Sequence, residues 1–305
     1  MSPWTPDDIP DQAGRVAIVT GGYSGIGYPV SLELARRGAQ VVIAGRSADR
    51  GQTAIQRIQA EVPGSAVEWA QLDLSDLSSV SSFAEEFTGK HDTLDLLINN
   101  AGIAFAPPGK TADGFEIVLG TNHFGHFALS GRLLPLLLTK PDARIVTVAS
   151  DVHEMPRAKL DFDDLQFEHD YKRVTAYARS KLANLLFTQE LHRRLTAAGQ
   201  PQRSIAAQPG MTATNLGPRP PGNFILRGLL KLIANSAETG AAPTLYAATA
   251  PDAQGGEYFQ PQKRNGPPVR HTAKPWAYDE ESAKRLWEIS EELTNVSFEF
   301  GNTRR

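Results

Sequence analysis

The sequence predicts a single-domain α/β fold: a doubly wound parallel sheet of about seven strands, with helices on both faces. Three observations predict it. Short β-branched apolar runs alternate with helical patterns over brief links, which is how parallel strands and their crossover helices are laid down. The first run passes straight into a glycine-rich turn. Polar residues recur at the carboxyl ends of the runs, where open sheets of this class hold ligands.

The first strand, Arg15 to Thr20, leads into Gly21-Gly22-Tyr23-Ser24-Gly25-Ile26-Gly27, and a helical pattern follows through Val30, Leu32, Leu34 and Ala35 to Gly38. Pro29 stands in the first turn, where a missing N–H costs nothing. Strand, glycine turn and helix N-terminus together form a Rossmann-type phosphate cradle, because bare backbone N–H groups and the helix dipole both favour an anion. Gly21, Tyr23, Ser24, Gly25, Ile26 and Gly27 are the candidate contacts. The alternative is a tight turn that is merely glycine-rich; the flanking strand and helix favour the cradle.

The second strand, Gln40 to Ala44, ends at Gly45-Arg46-Ser47. Dinucleotide folds choose their cofactor here: an acidic residue holds a ribose 2′-OH, and an arginine accepts a 2′-phosphate. No acidic residue stands at this end, so Arg46 and Ser47 favour NADP(H), with NAD(H) left open. A solvated loop cation is the other reading of Arg46. A helix from about Asp49 to Glu61 leads to a strand, Ala66 to Leu72, which ends at Asp73-Leu74. Both residues are candidates for the adenine edge, although Asp73 is also suited to begin the next helix beside Asp76. That helix, Leu77 to about Lys90, precedes the apolar strand Leu94 to Ile98. The strand closes with Asn99-Asn100-Ala101-Gly102, from which Asn99, Ala101 and Gly102 are placed at the cofactor.

A long helical region runs from about Thr111 to Thr139, interrupted at Pro135, with Asn122 near its middle. Asparagine is a mediocre helix former, so it is either tolerated on a wet face or placed to bond something specific. His123 and His126 lie on the same stretch without a third ligand, which reads as packing or surface and not as a metal site; no metal is predicted. The strand Arg144 to Ala149 ends at Ser150. His153 follows, but a hydrolase on such a sheet needs a nucleophile elbow that is missing. Tyr177-Ala178-Arg179-Ser180-Lys181 places a phenol and an ammonium on one helix face. An adjacent cation favours the phenolate and brings its pKa toward the working range. A strand from about Ser204 to Gln208 runs into Pro209-Gly210, with Thr214 just beyond. The segment from about 215 to 236 opens with Pro218, Pro220, Pro221 and Gly222 and continues through Phe224, Ile225 and Leu226. It reads either as a lid over an apolar substrate or as a helix packed on the core or on a partner subunit. Glu281 to Leu293 is an amphipathic helix.

Composition narrows the function. The 305 residues are 41% hydrophobic and 21% charged, with a net charge of −3 and no cysteine. Disulfides, thiolate metal sites and a cysteine nucleophile are excluded, and nothing argues for nucleic acid or an anionic membrane. Residues 1–12 are proline-rich and acidic and are expected to be a flexible segment before a domain spanning 13–300. No apolar run approaches the roughly 18 residues that cross a bilayer, so the expectation is a cytoplasmic protein without a membrane anchor.

Taken together, Thr20-Gly21-x-x-x-Gly25-x-Gly27, Asn99-Asn100-Ala101-Gly102, Asn122, Ser150, Tyr177-x-x-x-Lys181 and Pro209-Gly210-x-x-x-Thr214 resemble the short-chain dehydrogenase/reductase family. The match runs in register from about Arg15 to Glu257. Asp161-Phe162-Asp163-Asp164-Leu165, Ser180-Lys181-Leu182-Ala183-Asn184 and Gly255-Gly256-Glu257-Tyr258-Phe259 are similar to the retinol dehydrogenase and protochlorophyllide reductase-like branch. The resemblance implies an NADP-preferring oxidoreductase that interconverts an alcohol and a ketone or aldehyde on an apolar small molecule. It implies Tyr177 as general acid/base and Lys181 as the group that lowers the tyrosine pKa and bonds the nicotinamide ribose. It implies Ser150 as a donor to the substrate oxygen, and Asn122 as the holder of a water that links Lys181 to solvent. Pro209, Gly210 and Thr214 would close over the nicotinamide, and a homo-oligomer is compatible with the family. Two features depart from the pattern: the membrane-anchoring N-terminal segment of some animal relatives is missing, and Asp151 follows Ser150 where a neutral residue is expected. Two rival readings share the motifs: a silent NADP(H)-binding sensor or scaffold, and a C=C reductase of the same fold.

Overall fold

The computed structural model describes residues 3–210, 236–263 and 266–301. Thr214 and nearly all of the expected lid segment therefore lie outside the described residues. One sheet of eight strands organises the rest, in the order β3-β2-β1-β4-β5-β6-β7-β8. The strands are β1 (Val16–Thr20), β2 (Gln40–Gly45), β3 (Val67–Gln71), β4 (Leu96–Asn99), β5 (Arg144–Val148), β6 (Arg203–Ala207), β7 (Tyr258–Pro261) and β8 (Pro268–Arg270). Pairing is parallel from β3 to β7, and only β8 runs antiparallel, against β7. The expected count was about seven. The eighth strand is short and opens on a proline, and so offers no alternating pattern to read.

Alternate residues of each strand feed opposite cores, as the pleat requires. Ala17, Val19, Val41, Ile43, Leu96 and Ile98 pack toward α1 (Gly27–Arg36), α2 (Ala48–Glu61) and α7 (Ala237–Thr249). Ile18, Val42, Leu97 and Ile145 pack toward α3 (Leu77–Thr88), α5 (Gly125–Leu138), α6 (Arg173–Ala197) and α8 (Glu280–Thr294). Buried on both faces, the strands read as nearly continuous apolar runs. On the second face Trp287 stacks parallel to Phe187 at 5.9 Å, and Phe298 meets both Trp287 and Phe127.

The long helical region starts later than its pattern predicts. Thr111 to Phe115 fold into a turn, and Glu116 caps α4 (Ile117–Leu119) by accepting the N–H groups of Val118 at 2.8 Å and Leu119 at 2.7 Å. A π-helical turn, Gly120–Phe124, joins α4 to α5. Pro135 lies inside α5 without ending it, contrary to the expected interruption. The segment before β1, for which composition predicts flexibility, contacts the body from Trp4. Ile9 is buried in the first core, Trp4 meets Tyr246 edge-on at 5.3 Å, and the Gln12 amide donates to the carbonyl of Pro10 at 2.9 Å. Trp4 and Ile9 make these contacts, which composition cannot reveal.

Candidate active site

A cavity of about 580 Å3 opens along the carboxyl ends of β1 to β6. At one end lies the glycine turn. Gly21 has φ +66°, and a side chain at Gly27 would drive its Cβ to 2.5 Å from the Gly21 carbonyl oxygen and 2.6 Å from Asn100 Nδ2. The turn and the start of α1 thus close on each other only because Gly27 has no side chain. Gly21, Tyr23, Ser24, Gly25 and Ile26 line the cavity, whereas Gly27 holds the turn together from behind.

Arg46 lines the cavity beyond β2, as expected, and so does Arg50 one helical turn further on. Arg50 lies 4.8 Å over the Tyr23 ring, which aims a second guanidinium into the same region. Sequence reading missed Arg50; its i+4 spacing from Arg46 was the available signal. Ser47 does not line the cavity and precedes α2 without a capping side-chain bond. Asp73 and Leu74 do line it. The helix-starting role belongs to Asp76, which accepts from Ser78 and Ser79, while Asp73 accepts from Ser75.

Of the Asn99 to Gly102 motif, Asn100, Ala101 and Gly102 reach the cavity. Asn99 does not: its amide donates to Ser130 Oγ at 3.0 Å on the buried side of β4. Strand alternation explains the exchange, since adjacent side chains leave a strand on opposite sides. Asn100 donates to the Thr20 carbonyl at 2.8 Å, and the Thr20 hydroxyl accepts the N–H groups of Asn100 and Ala101, each at 2.9 Å. Thr20 also meets His126 Nε2 at 2.9 Å. Because the His126 Nδ1 faces the Asn122 carbonyl at 3.0 Å, that nitrogen carries the proton and Nε2 is the acceptor for Thr20. His126 is a structural joint between the glycine turn and the π turn. His123 bonds Ser290 at 2.9 Å. Among the described residues no group of side chains could hold a metal.

At the other end of the cavity stand Ser150, Tyr177 and Lys181. Ser150 follows β5, and Tyr177 and Lys181 share one face of α6. Lys181 Nζ donates to the Val148 carbonyl at 2.9 Å and lies 5.8 Å from the centre of the Tyr177 ring. Burial pushes the Tyr177 phenol up to about 12; hydrogen bonding with Ser150 opposes the rise, and the Asp151 carboxylate adds to it. Burial also pulls the Lys181 ammonium down to about 8. The expected lowering of the tyrosine by its lysine is not the dominant effect here, because both groups are buried and burial disfavours either charge.

Asn122 does not line the cavity. Its side-chain oxygen accepts the Ile103 N–H at 2.8 Å, and its nitrogen donates to the Ile103 carbonyl at 2.9 Å and to Ser180 Oγ at 3.0 Å. The side chain clamps the Gly102-Ile103 backbone to α6. Asp151 lines the cavity, and the Ser150 hydroxyl donates to its Oδ1 at 3.1 Å. Phe105, which sequence reading also missed, is 43% exposed at the mouth with φ +54°, its ring 5.2 Å from that of Tyr177. An exposed phenylalanine in the left-handed region carries strain of the kind that gathers at functional sites. Pro209 and Gly210 line the cavity from beyond β6.

Fold and cavity together define a Rossmann-type domain with one long cleft across its strand ends. A family model described as short chain dehydrogenase matches residues 15–162. Retinol dehydrogenase 12 of Homo sapiens is 40% identical over 288 residues, covering 94% of this chain and 88% of its own. Polyprenol dehydrogenase of Mus musculus is 40% identical over 301 residues, covering 95% and 87%. Among solved structures, an uncharacterized protein from Mycobacterium Paratuberculosis matches with a TM-score of 0.80 at 39% identity, over 98% of this chain and all (100%) of that one. A protein described as an NAD(P) dependent gluconate 5-dehydrogenase from Beutenbergia cavernae, with NADP at low occupancy, matches with a TM-score of 0.63 at 26% identity over 82% and 96%. The chain belongs to the short-chain dehydrogenase/reductase family, in its retinol dehydrogenase-like branch. It is an NAD(P)(H)-dependent oxidoreductase of alcohol or carbonyl groups. No helix among the described residues is long and apolar enough to cross a membrane.

Proposed function

We propose that this enzyme interconverts an alcohol and a ketone or aldehyde on an apolar small molecule, prefers NADP(H), and uses Tyr177 as its general acid/base. The observation that carries this reading is the shared cavity: two guanidiniums and a glycine cradle at one end, Ser150, Tyr177 and Lys181 at the other. The cradle fits a dinucleotide, because Gly27 permits the close turn and the N-terminus of α1 has no capping side chain, which suits its first N–H groups to an anion. Arg46 and Arg50 would hold a 2′-phosphate, and Asp73 and Leu74 would border the adenine. When bound, the cofactor supplies or takes up the hydride.

The remaining chemistry belongs to the protein. Tyr177, protonated across the neutral range, delivers its proton to the carbonyl oxygen in reduction and accepts it back in oxidation. Ser150 stabilises the charge that develops on that oxygen. Lys181, held by the Val148 carbonyl, recharges the phenol and would bond a nicotinamide ribose. Asn122 acts as a positioning residue through Ile103. Ile103, Ala104, Phe105, Ala106 and Val152 make the wall near Tyr177 apolar. The relatives named for retinol and polyprenol, both apolar alcohols, support the same substrate class.

The test is a turnover screen with NADPH and NADH across matched aldehydes, ketones, alcohols and conjugated alkenes, with product analysis. The reading expects carbonyl–alcohol exchange that is faster with the phosphorylated cofactor. Cofactor binding without turnover would favour a sensor, and a saturated ketone as product would favour a C=C reductase.

A further inference from the structure

We propose that His153 is a positioning residue for the reaction: from behind the cavity wall it fixes the backbone that carries Ser150. The inference rests on the oxidoreductase reading above and deepens it. Ser150 follows β5 in extended backbone (φ −161°, ψ 153°), and the chain then folds into the single turn Asp151–Glu154. In that turn His153 doubles back on the serine. Its Nδ1 lies 2.6 Å from the Ser150 carbonyl oxygen, and its backbone N–H donates to the same oxygen at 3.2 Å. A ring nitrogen that faces a carbonyl carries the proton, so Nδ1 donates and Nε2 is left as an acceptor. His153 does not line the cavity, so it acts on a substrate only through Ser150.

The imidazole is placed for that bond and for no other. His153 is fully buried, at 0% exposure, and its Nε2 has no partner among the described residues. Burying a ring with one nitrogen unpaired costs free energy that a phenyl ring in the same place would not. What the imidazole alone supplies is the Nδ1–H on Ser150. Burial lowers its pKa from the ordinary 6.5, so at neutral pH it is uncharged and its single proton stays on Nδ1. The edge of the sheet holds the residue in place. Tyr258 of β7 meets the ring edge-on at 5.7 Å, and Trp276 Nε1 donates to the His153 carbonyl at 2.8 Å. The Ser150–Asp151 peptide therefore cannot rotate without breaking its bonds to His153. Holding that carbonyl fixes ψ at Ser150, and with it the direction of the Cα–Cβ bond that carries the hydroxyl into the cavity beside Tyr177. A donor to a developing charge works when it is aimed in advance, and a displacement of about 1 Å costs up to roughly a hundredfold in rate.

The experiment measures kcat, KM and the NADPH dissociation constant, using a medium-chain aldehyde or the best carbonyl substrate of the screen above. The proteins are the wild type, His153→Phe, His153→Asn, Ser150→Ala and the double variant Ser150→Ala with His153→Phe, each checked for fold by thermal melting. His153→Phe keeps a ring and removes the donor. It should lower kcat by roughly tenfold and leave the NADPH dissociation constant within about twofold. His153→Asn, whose side-chain nitrogen takes the place of Nδ1, should recover most of the loss. In the Ser150→Ala background, His153→Phe should cost less than about twofold more, because a residue that acts through the serine has nothing left to position. An imidazole that merely packs would cut both backgrounds by the same factor. If His153→Phe does not fold, His153→Gln takes its place in both backgrounds: its donor stands at the Nε2 position, so it should lose turnover where the asparagine keeps it. An unchanged kcat, an asparagine variant no better than the phenylalanine or glutamine one, or equal losses in the two backgrounds overturns the assignment while leaving the oxidoreductase reading intact. A wild type that reduces no carbonyl overturns that reading and this inference with it.

Discussion

Tyr177 and Lys181 are both buried, and burial moves their proton affinities in opposite directions, to about 12 and about 8. The phenol is therefore an acid in reserve throughout the neutral range, and the ammonium loses its charge just above it. At the opposite end of the cavity, Arg46 and Arg50 make a separate claim about selectivity. Hydrogen bonds to a charged group are worth about 1.5–3 kcal/mol, so Arg46→Ala or Arg50→Ala should weaken NADPH binding by roughly tenfold or more. NADH, which lacks the phosphate, should lose less than about twofold. Direct titration of both cofactors checks this, and equal losses would remove the two arginines from the phosphate site.

The π turn Gly120–Phe124 is the element on which both halves of the site depend. It carries Asn122 to Ile103 and Ser180, and its neighbour His126 to Thr20. Such turns within helices gather at functional sites because they re-aim side chains without breaking the helix. They also have no signature in hydrophobic spacing. The element has a pH limit. Burial pulls His123 down to about 3 and His126 down to about 4 from an ordinary value of 6.5. These folded-state values are depressed, so below about pH 6.5 the unfolded chain takes up protons that the folded chain refuses. The stability contributed by the neutral imidazoles is complete above that pH and is lost as pH falls through about 4 and then 3. Each histidine should account for about 1.4 kcal/mol per pH unit near pH 5. Thermal melts from pH 7 to 4.5 should show the decline, and His123→Phe should make it shallower. An unchanged slope would mean that the imidazole is not held neutral.

At the scale of the whole molecule, the sheet order reverses between β1 and β4, and the cavity spans that switch point, as ligand sites do in doubly wound sheets. This much was legible in the sequence, because β-branched runs, glycine turns and strand-end polar residues are local signals. Arg46, Ser150, Tyr177 and Lys181, read from spacing, line one cavity. Asn99 was misplaced because spacing identifies a strand end but not which side of it a residue faces. Arg50 and Phe105 were missed because their roles arise from tertiary contact: a ring beneath a guanidinium and a strained backbone. The partner of Asp151 became visible only with the fold. The account's central claim is that this assembly performs proton transfer through Tyr177, and Tyr177→Phe tests it most directly. With NADPH and any carbonyl that the wild type reduces, the variant should lose turnover by about a thousandfold while its NADPH dissociation constant stays within about twofold, since the phenyl ring keeps the packing and only the proton is removed. Turnover retained at the wild-type level would contradict the account.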